Sequence, residues 1–473
     1  MVLVAAAAIL WLPQLPSSLW HDEAGTYWTA KGGFSETVDR VIRYQGQSPL
    51  YYMVVWVTLK LGGAREIVLR LPSVLSMALA AVLLFRLGRD LVDEETGWLA
   101  TIFFVSSADV RYFSGEARPY ALALAIAVAA TLALVRWLGS GRKRDAIVYA
   151  ALAALVVYAH YLFGIVLLCH AAYALRRTLI ERKVPLGMLV TVTLLTAVLL
   201  LPLSWQFLSL WQRRSTLVYM SGVPSVDALL TVLAQPATVV TLLSSLLLAR
   251  ILSPSIGLCA TRARPGSLLL LASWYILPPL LLFVLATRTP VHLFVARYYF
   301  LNVPALALLI AWLLRTVKPR RARLLVALVP LALSLATYWD NGTHLGSFRD
   351  LVSIVRMAAN DSDMPVLIWS PLVEGNQVEW LRDPERKSYL LALADFYGFN
   401  RNVTALPNDI SSPTSQTYLD SIKADFLTED RPRLLLLGPP SSEAWVAKHL
   451  APRPFVSRRL GGMDWVATLF ERR

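Results

Sequence analysis

The chain has 473 residues, of which 56% are apolar and 16% charged, and its mean hydropathy is +0.54. A soluble protein of that length cannot hide so much apolar surface, so the composition excludes a soluble enzyme and points to a polytopic α-helical membrane protein. The net charge of +14 sits mainly in short loops between apolar stretches, a pattern that argues against nucleic acid as a partner and marks those loops as cytoplasmic.

Those loops are Arg86 and Arg89 with the acids after them, 136–145, 176–183, Arg250 with 261–266, and 315–323. They hold 18 Lys/Arg against 6 Asp/Glu, a difference of +12. With them inside, apolar spans fall at 1–17, 72–88, 96–112, 119–137, 146–159, 161–175, 185–203, 228–249, 267–287, 299–315 and 322–338. That makes about 11 spans, with the N-terminus inside and the C-terminus outside. The first stretch lacks a basic start and a small-residue cleavage site before Trp20, so it reads as an uncleaved span.

One further segment, "SPLYYMVVWVTLKLGG" (48–63), is apolar enough to pass for a span. If it crossed, Arg86, Arg89 and every later basic loop would change sides. The region 18–71 is therefore expected to be one external loop, with 48–60 lying in the membrane interface, where Tyr and Trp are favoured. The two cysteines, Cys169 and Cys259, are too few for a disulfide framework or a zinc site.

The character of the chain changes at Trp339. Residues 339–473 carry 17 acids and 15 bases and show no spanning run. "MPVLIWS" (364–370), "RLLLLG" (433–438) and "WVATLF" (465–470) read as strands, the first two followed by helix-compatible segments. The expected organisation is a membrane module over 1–338 and an extracytoplasmic α/β domain over 339–473.

Four polar clusters then share the external face: "HDEAGTYW" (21–28), "RYFSGEARPYAL" (111–122), "YAHYLFG" (158–164) and "HLFVARYYF" (292–300). No Asp, Glu, Lys or Arg falls in the middle of a span, whereas ion-coupled transporters use such groups. Asp22 and Glu23 are either a solvated pair at a membrane exit or carboxylates held for general-base or metal-ligand work. Glu116 and Arg118 form either a local ion pair or, through Arg118, a bidentate contact to phosphate. His160 and Tyr161 mark a tight external turn, with interfacial anchoring as the alternative role. Arg297 is a boundary arginine that either snorkels or binds an anion. Arg213 and Arg214 are further external bases within reach of lipid phosphate.

The runs "HDEAGTYW", "QSPLYYMVVWVTLKLGGAREIVLRLPSVL" and "YFSGEARPYAL" resemble the N-terminal half of the GT-C glycosyltransferases. They are most similar to the protein-mannosyltransferase-like branch that includes the lipid A aminoarabinose transferases. "YAHY" and "ARYYFLNVPALALLIA" extend the resemblance over most of 1–316, and the interfacial segment opens Ser-Pro-Leu rather than with the family's usual His-Pro-Pro or Gln-Pro-Pro.

The resemblance implies a GT-C fold and an inverting enzyme that takes a sugar from a polyprenyl-phosphate donor on the external face of the plasma or inner membrane. The acceptor would be a hydroxyl on a lipid-linked glycan, lipopolysaccharide, cell-wall polymer or protein. By the same resemblance Asp22 is the base, and Glu23 and Glu116 orient the acceptor, the sugar or Arg118. Arg118, Tyr120, His160, Tyr161, Arg297 and Tyr298 would bind the donor phosphate and sugar. Some relatives need a divalent cation, Mg or Mn, and others do not; no His/Cys ligand set stands in the sequence. The competing reading is a transporter or flippase of lipid-linked sugars, which predicts ionisable groups or broken helices near the midplane.

Overall fold

The computed structural model describes residues 2–212, 222–252, 257–258, 263–337, 348–358, 364–399, 402–423, 426, 432–449, 455–462 and 465–472. Arg213, Arg214, Cys259 and the expected boundary at 338/339 lie outside the described residues. The chain divides into two compact units. One comprises Met1–Leu15, Thr37–Val54 and Arg70–Asn341; the other comprises Pro16–Glu36, Val55–Leu69 and Gly342–Arg473. Residues 16–36 and 55–69 therefore group with the C-terminal residues, although a boundary drawn at 338 assigns them to the membrane module.

Each of the eleven expected spans is helical over most of its length. Among the described residues, seven helices are long and apolar enough to cross a membrane: Glu66–Leu91, Tyr120–Ser140, Tyr161–Leu179, Leu186–Gln212, Val226–Leu252, Ser267–Arg288 and Ala296–Leu314. The chain is a multi-pass membrane protein. The other four segments form shorter helices. Val2–Trp11 and Glu94–Ser106 have 10 and 13 residues, and Lys143–Ala159 and Arg320–Ala336 have 17 each. The last two begin in charged residues, and 17 residues rise only roughly 25 Å against a hydrocarbon core of about 30 Å. The helix Leu50–Gly62 has 13 residues and is likewise short of a crossing.

Local sequence explains how the first unit packs. Tyr120–Ser140 ends at Gly141, whose φ of 66° is left-handed and free of Cβ strain; its N–H bonds to Trp137 O (2.8 Å). Chain reversal there sets Lys143–Ala159 against the same helix. Gly88 and Gly97 let two helices approach closely: a Cβ on Gly88 would lie 2.8 Å from Gly97 Cα, and one on Gly97 would lie 2.5 Å from Phe85 O.

The basic loops carry acids that they bind. Arg315 donates to Asp93 (2.8 Å) and pairs with Glu95 (2.8 Å), and Arg323 holds Glu95 bidentately at 3.0 Å. Burial opposes ionisation of Asp93, but hydrogen bonds from Arg315 and Thr96 override it and hold the carboxyl below its ordinary range.

In the second unit, strands β3 (Val366–Trp369), β4 (Val403–Leu406), β5 (Arg433–Gly438), β6 (Phe455–Gly461) and β7 (Val466–Arg472) form one sheet in the order β4-β3-β5-β7-β6. A separate two-residue ladder in the first unit pairs β1 (Gly257–Leu258) with β2 (Val317–Lys318). β4, β3 and β5 run parallel, while β7 is antiparallel to both β5 and β6. Leu434 to Leu437 are all fully buried, which is why the central strand reads as an unbroken apolar run. The expected strands at 364–370, 433–438 and 465–470 coincide with β3, β5 and β7. β4 and β6 were not anticipated; β6 is an edge strand that carries Arg458 and Arg459 and is mostly exposed.

Candidate active site

Asp22 and Glu23 open the helix His21–Ala30 in the second unit. Carboxylates are favoured there because the first turn has unpaired N–H groups and the positive end of the helix dipole. Glu23 is fully buried, and its Oε2 accepts from Trp20 N (3.3 Å), the outward-reaching half of a capping box. Asp22 is half-buried at the second helical position. Burial pushes the neighbouring His21 down to about 3, against the pull of Asp22, so the imidazole beside Asp22 is neutral at physiological pH.

Glu116, Arg118, Tyr120, His160, Tyr161, Arg297 and Tyr298 all belong to the first unit. Glu116 and Arg118 occupy the short turn before Tyr120–Ser140, with Arg118 N bonded to Glu116 O (2.8 Å); they are 2% and 8% exposed. His160 ends the helix Lys143–Ala159 in an extended conformation, φ −161°, and a 3-10 turn, Tyr161–Ile165, follows at once. That break turns the imidazole into an aromatic box. Its centroid lies 5.0 Å from Phe163, 5.5 Å from Tyr120 and 5.7 Å from Tyr298. The Arg297 guanidinium lies 5.3 Å from the Tyr298 ring centroid, within cation–π range.

His160 is 3% exposed, and neither ring nitrogen has a hydrogen-bond partner among the described residues. Burial, reinforced by the Arg118 and Arg297 charges, pushes its pKa down to about 3. One unpaired N–H and one unpaired lone pair, beside two guanidinium groups, form a cationic site with spare donor and acceptor capacity. A buried polar group left this way costs stability unless a water or a ligand answers it.

The sign of its linkage follows. The folded pKa lies below the ordinary 6.5, so His160 contributes stability that is present above about pH 6.5 and lost as pH falls toward 3. The effect is at most about 2 kcal/mol at pH 5. We expect His160→Gln to shrink the drop in thermal midpoint between pH 7 and pH 5. An unchanged drop would contradict this linkage.

Several contributors were not anticipated from sequence. Gln47 Nε2 donates to the Tyr120 hydroxyl (3.1 Å). Tyr161 turns to a separate contact, donating to Gln206 Oε1 (2.7 Å), and Gln206 Nε2 donates to Gln47 O (2.8 Å). Ser73 Oγ donates to Arg118 O (3.4 Å). Arg70, fully buried, donates to Gln14 O (3.1 Å) and Leu15 O (2.9 Å). Neutral amides and an arginine just before a span give no spacing signal in a single sequence. His170 is a further unanticipated polar group, buried within a span and bonded to Thr131 (2.9 Å) and Tyr149 (3.4 Å).

A cavity of about 550 Å³ opens beside the segment that carries Arg297 and Tyr298. Tyr299, Phe300 and Asn302 line it with Phe103, Leu242 and Ile310, a mostly apolar wall at the depth of the spans. Among the described residues, no three His, Cys, Asp or Glu side chains converge into a metal-ligand set.

The profile of the dolichyl-phosphate-mannose-protein mannosyltransferase family matches residues 46–205. No curated protein matches the chain by sequence. Among solved structures, the chain is similar to ArnT from Cupriavidus metallidurans in the apo state, with a TM-score of 0.60 at 12% identity; the match covers 99% of this chain and 97% of that one. It is also similar to ArnT from the same organism bound to undecaprenyl phosphate, with a TM-score of 0.58, 12% identity and the same coverage. The structural likeness shows that the chain has the fold of these ArnT structures, the GT-C fold expected from the sequence, and residues 46–205 are similar to the mannosyltransferase family.

Proposed function

We propose that this protein is an inverting glycosyltransferase that moves a sugar from a polyprenyl-phosphate donor to an acceptor hydroxyl on the extracytoplasmic side of the membrane. The observation that carries the reading is the cationic site made by buried Arg118, half-buried Arg297 and neutral, buried His160. Such a site suits a phosphodiester. Two guanidinium groups match its oxygens, and the imidazole N–H adds a donor without adding a charge. The adjoining apolar cavity suits the first isoprene units, and the fold relative bound to undecaprenyl phosphate supports a lipid phosphate as ligand.

Asp22 takes the proton from the acceptor hydroxyl. The acceptor oxygen then bonds to the anomeric carbon as its bond to the phosphate oxygen breaks, with inversion. Polyprenyl phosphate leaves with one more negative charge than it had as a diester. Arg118 and Arg297 stabilise that developing charge where water is scarce, so the interaction is stronger in the transition state than in the ground state. Glu23 and Glu116 orient the groups around them. The bias of basic loops to one face supports the extracytoplasmic placement of the acid pair, the arginine site and the C-terminal sheet.

The transporter reading has one observation in its favour, the intramembrane His170. Both of its ring nitrogens are already bonded to Thr131 and Tyr149, which suits a structural role better than proton relay. The test is incubation of purified protein with a panel of polyprenyl-phosphate sugars and extracted glycolipids, wall polymers and proteins, with and without EDTA. Label transferred to one acceptor class supports the reading and names the sugar; no transfer to any class rejects it.

A further inference from the structure

The helix that carries Asp22 is held within its own unit by residues more than 300 positions further along the chain. A network of contacts fixes its approach. Leu19 N donates to the Tyr397 hydroxyl (2.8 Å), which also lies 3.1 Å from Ser18 Oγ and donates to Glu66 Oε1 (3.2 Å). Glu66 is ion-paired with Arg349, and Arg349 donates to Pro16 O (2.7 Å). The His21 ring packs against Trp465 at 4.7 Å and against Phe348 at 6.4 Å.

Three more contacts fix the body and far end of the helix. Trp28 Nε1 donates to Ser388 Oγ (2.7 Å), and its ring meets Tyr389 edge-on at 5.2 Å. Gly25 makes room for that same ring, since a Cβ there would stand 3.1 Å from Tyr389 Cε2. Lys31 Nζ pairs with Asp395 at 2.7 Å.

Ten residues of helix would be marginal alone, so the order of this one depends on its tertiary contacts. Its pitch and rotation are set from both ends by the 348–397 region and by Trp465 at the start of β7. Asp22 directly follows His21, the last residue of the segment 18–21 that Tyr397 and Trp465 grip.

We infer that Tyr397 is a positioning residue for Asp22, and that the C-terminal α/β region serves as the mount of the acid-bearing helix. The inference rests on the transferase reading above. A carboxylate that must meet an acceptor hydroxyl at hydrogen-bond distance loses rate steeply when its helix shifts by an ångström, because catalysis depends on placement. The arginines that the transferase reading assigns to the donor are not on this helix, so donor KM is expected to stay constant.

The experiment measures kcat and donor KM for Tyr397→Phe and for Asp22→Asn in the full-length protein. Tyr397→Phe keeps the ring and removes only the hydroxyl. The expected result is a fall in kcat of at least about tenfold, with donor KM within about twofold and the thermal midpoint little changed. A charge swap keeps the test open if that variant folds poorly. Lys31→Asp and Asp395→Lys should each lower kcat, and the double variant should recover most of it; a merely structural bond would not give a kcat-specific loss and rescue. Unchanged kcat in Tyr397→Phe with an inactive Asp22→Asn overturns the positioning role and leaves the transferase reading standing. An active Asp22→Asn overturns the base assignment and this inference with it.

Discussion

Asp22→Asn is expected to lower kcat by about a thousandfold or more while leaving donor affinity within a factor of about two. General-base assistance contributes typically 10²–10⁴, and an amide at this position accepts no proton. The substitution is nearly isosteric, and Trp20, Leu19 and Glu23 supply contacts that order the first turn whichever side chain stands at position 22. Loss of kcat without loss of binding separates a base from a substrate ligand. Turnover assays with titration of polyprenyl phosphate on the same preparation would check it. Full activity in Asp22→Asn would remove the carboxylate from the reaction.

The second large effect lies in the other unit. Arg118→Ala and Arg297→Ala should each lower kcat/KM about a hundredfold, since a lost charge-assisted bond to a developing anion costs about 2.7–4 kcal/mol. Lysine should restore only part of the loss at either position, because an ammonium replaces the charge and not the planar fork. Affinity for free polyprenyl phosphate should fall at least as much as affinity for the donor, as the monoester carries the extra charge that the two arginines answer. Isothermal titration or a lipid-competition assay would resolve the two. A variant that binds both lipids normally would place the phosphate elsewhere.

Much of this architecture is visible in the sequence, and what is not has physical causes. Apolar runs bounded by basic loops mark helical segments well, since burial in hydrocarbon tolerates no unpaired backbone. They mark helix length poorly: charged starts such as Lys143–Asp145 and Arg320–Arg323 shorten an apolar face in ways that a window does not weigh. In the sheet, β3, β5 and β7 read as apolar strands, whereas β4 has four residues and β6 puts its arginines on an edge.

The donor-site reading gained most from residue type. Arg118, Tyr120, His160, Arg297 and Tyr298 lie in three segments that hydropathy and the basic loops together assign to one face, and in the first unit Tyr120, His160 and Tyr298 meet as rings. Gln47, Gln206 and Arg70 escaped notice because neutral amides and a helix-entry arginine have no pattern of their own. The grip of Tyr397 and Trp465 on the Asp22 helix escaped for a different reason: a contact between positions 19 and 397 is tertiary, and no periodicity in one sequence encodes it.

The central claim is that the donor's phosphodiester is broken here and not merely carried. Phosphorus NMR of a polyprenyl-phosphate sugar, followed with the purified protein in sealed vesicles and in the presence of acceptor, reads that bond directly. The phosphodiester signal should convert to a phosphomonoester signal, one for each sugar transferred, and Asp22→Asn should abolish the conversion. A phosphodiester that crosses the bilayer intact, with no monoester formed, would contradict it and make the protein a carrier of lipid-linked sugars.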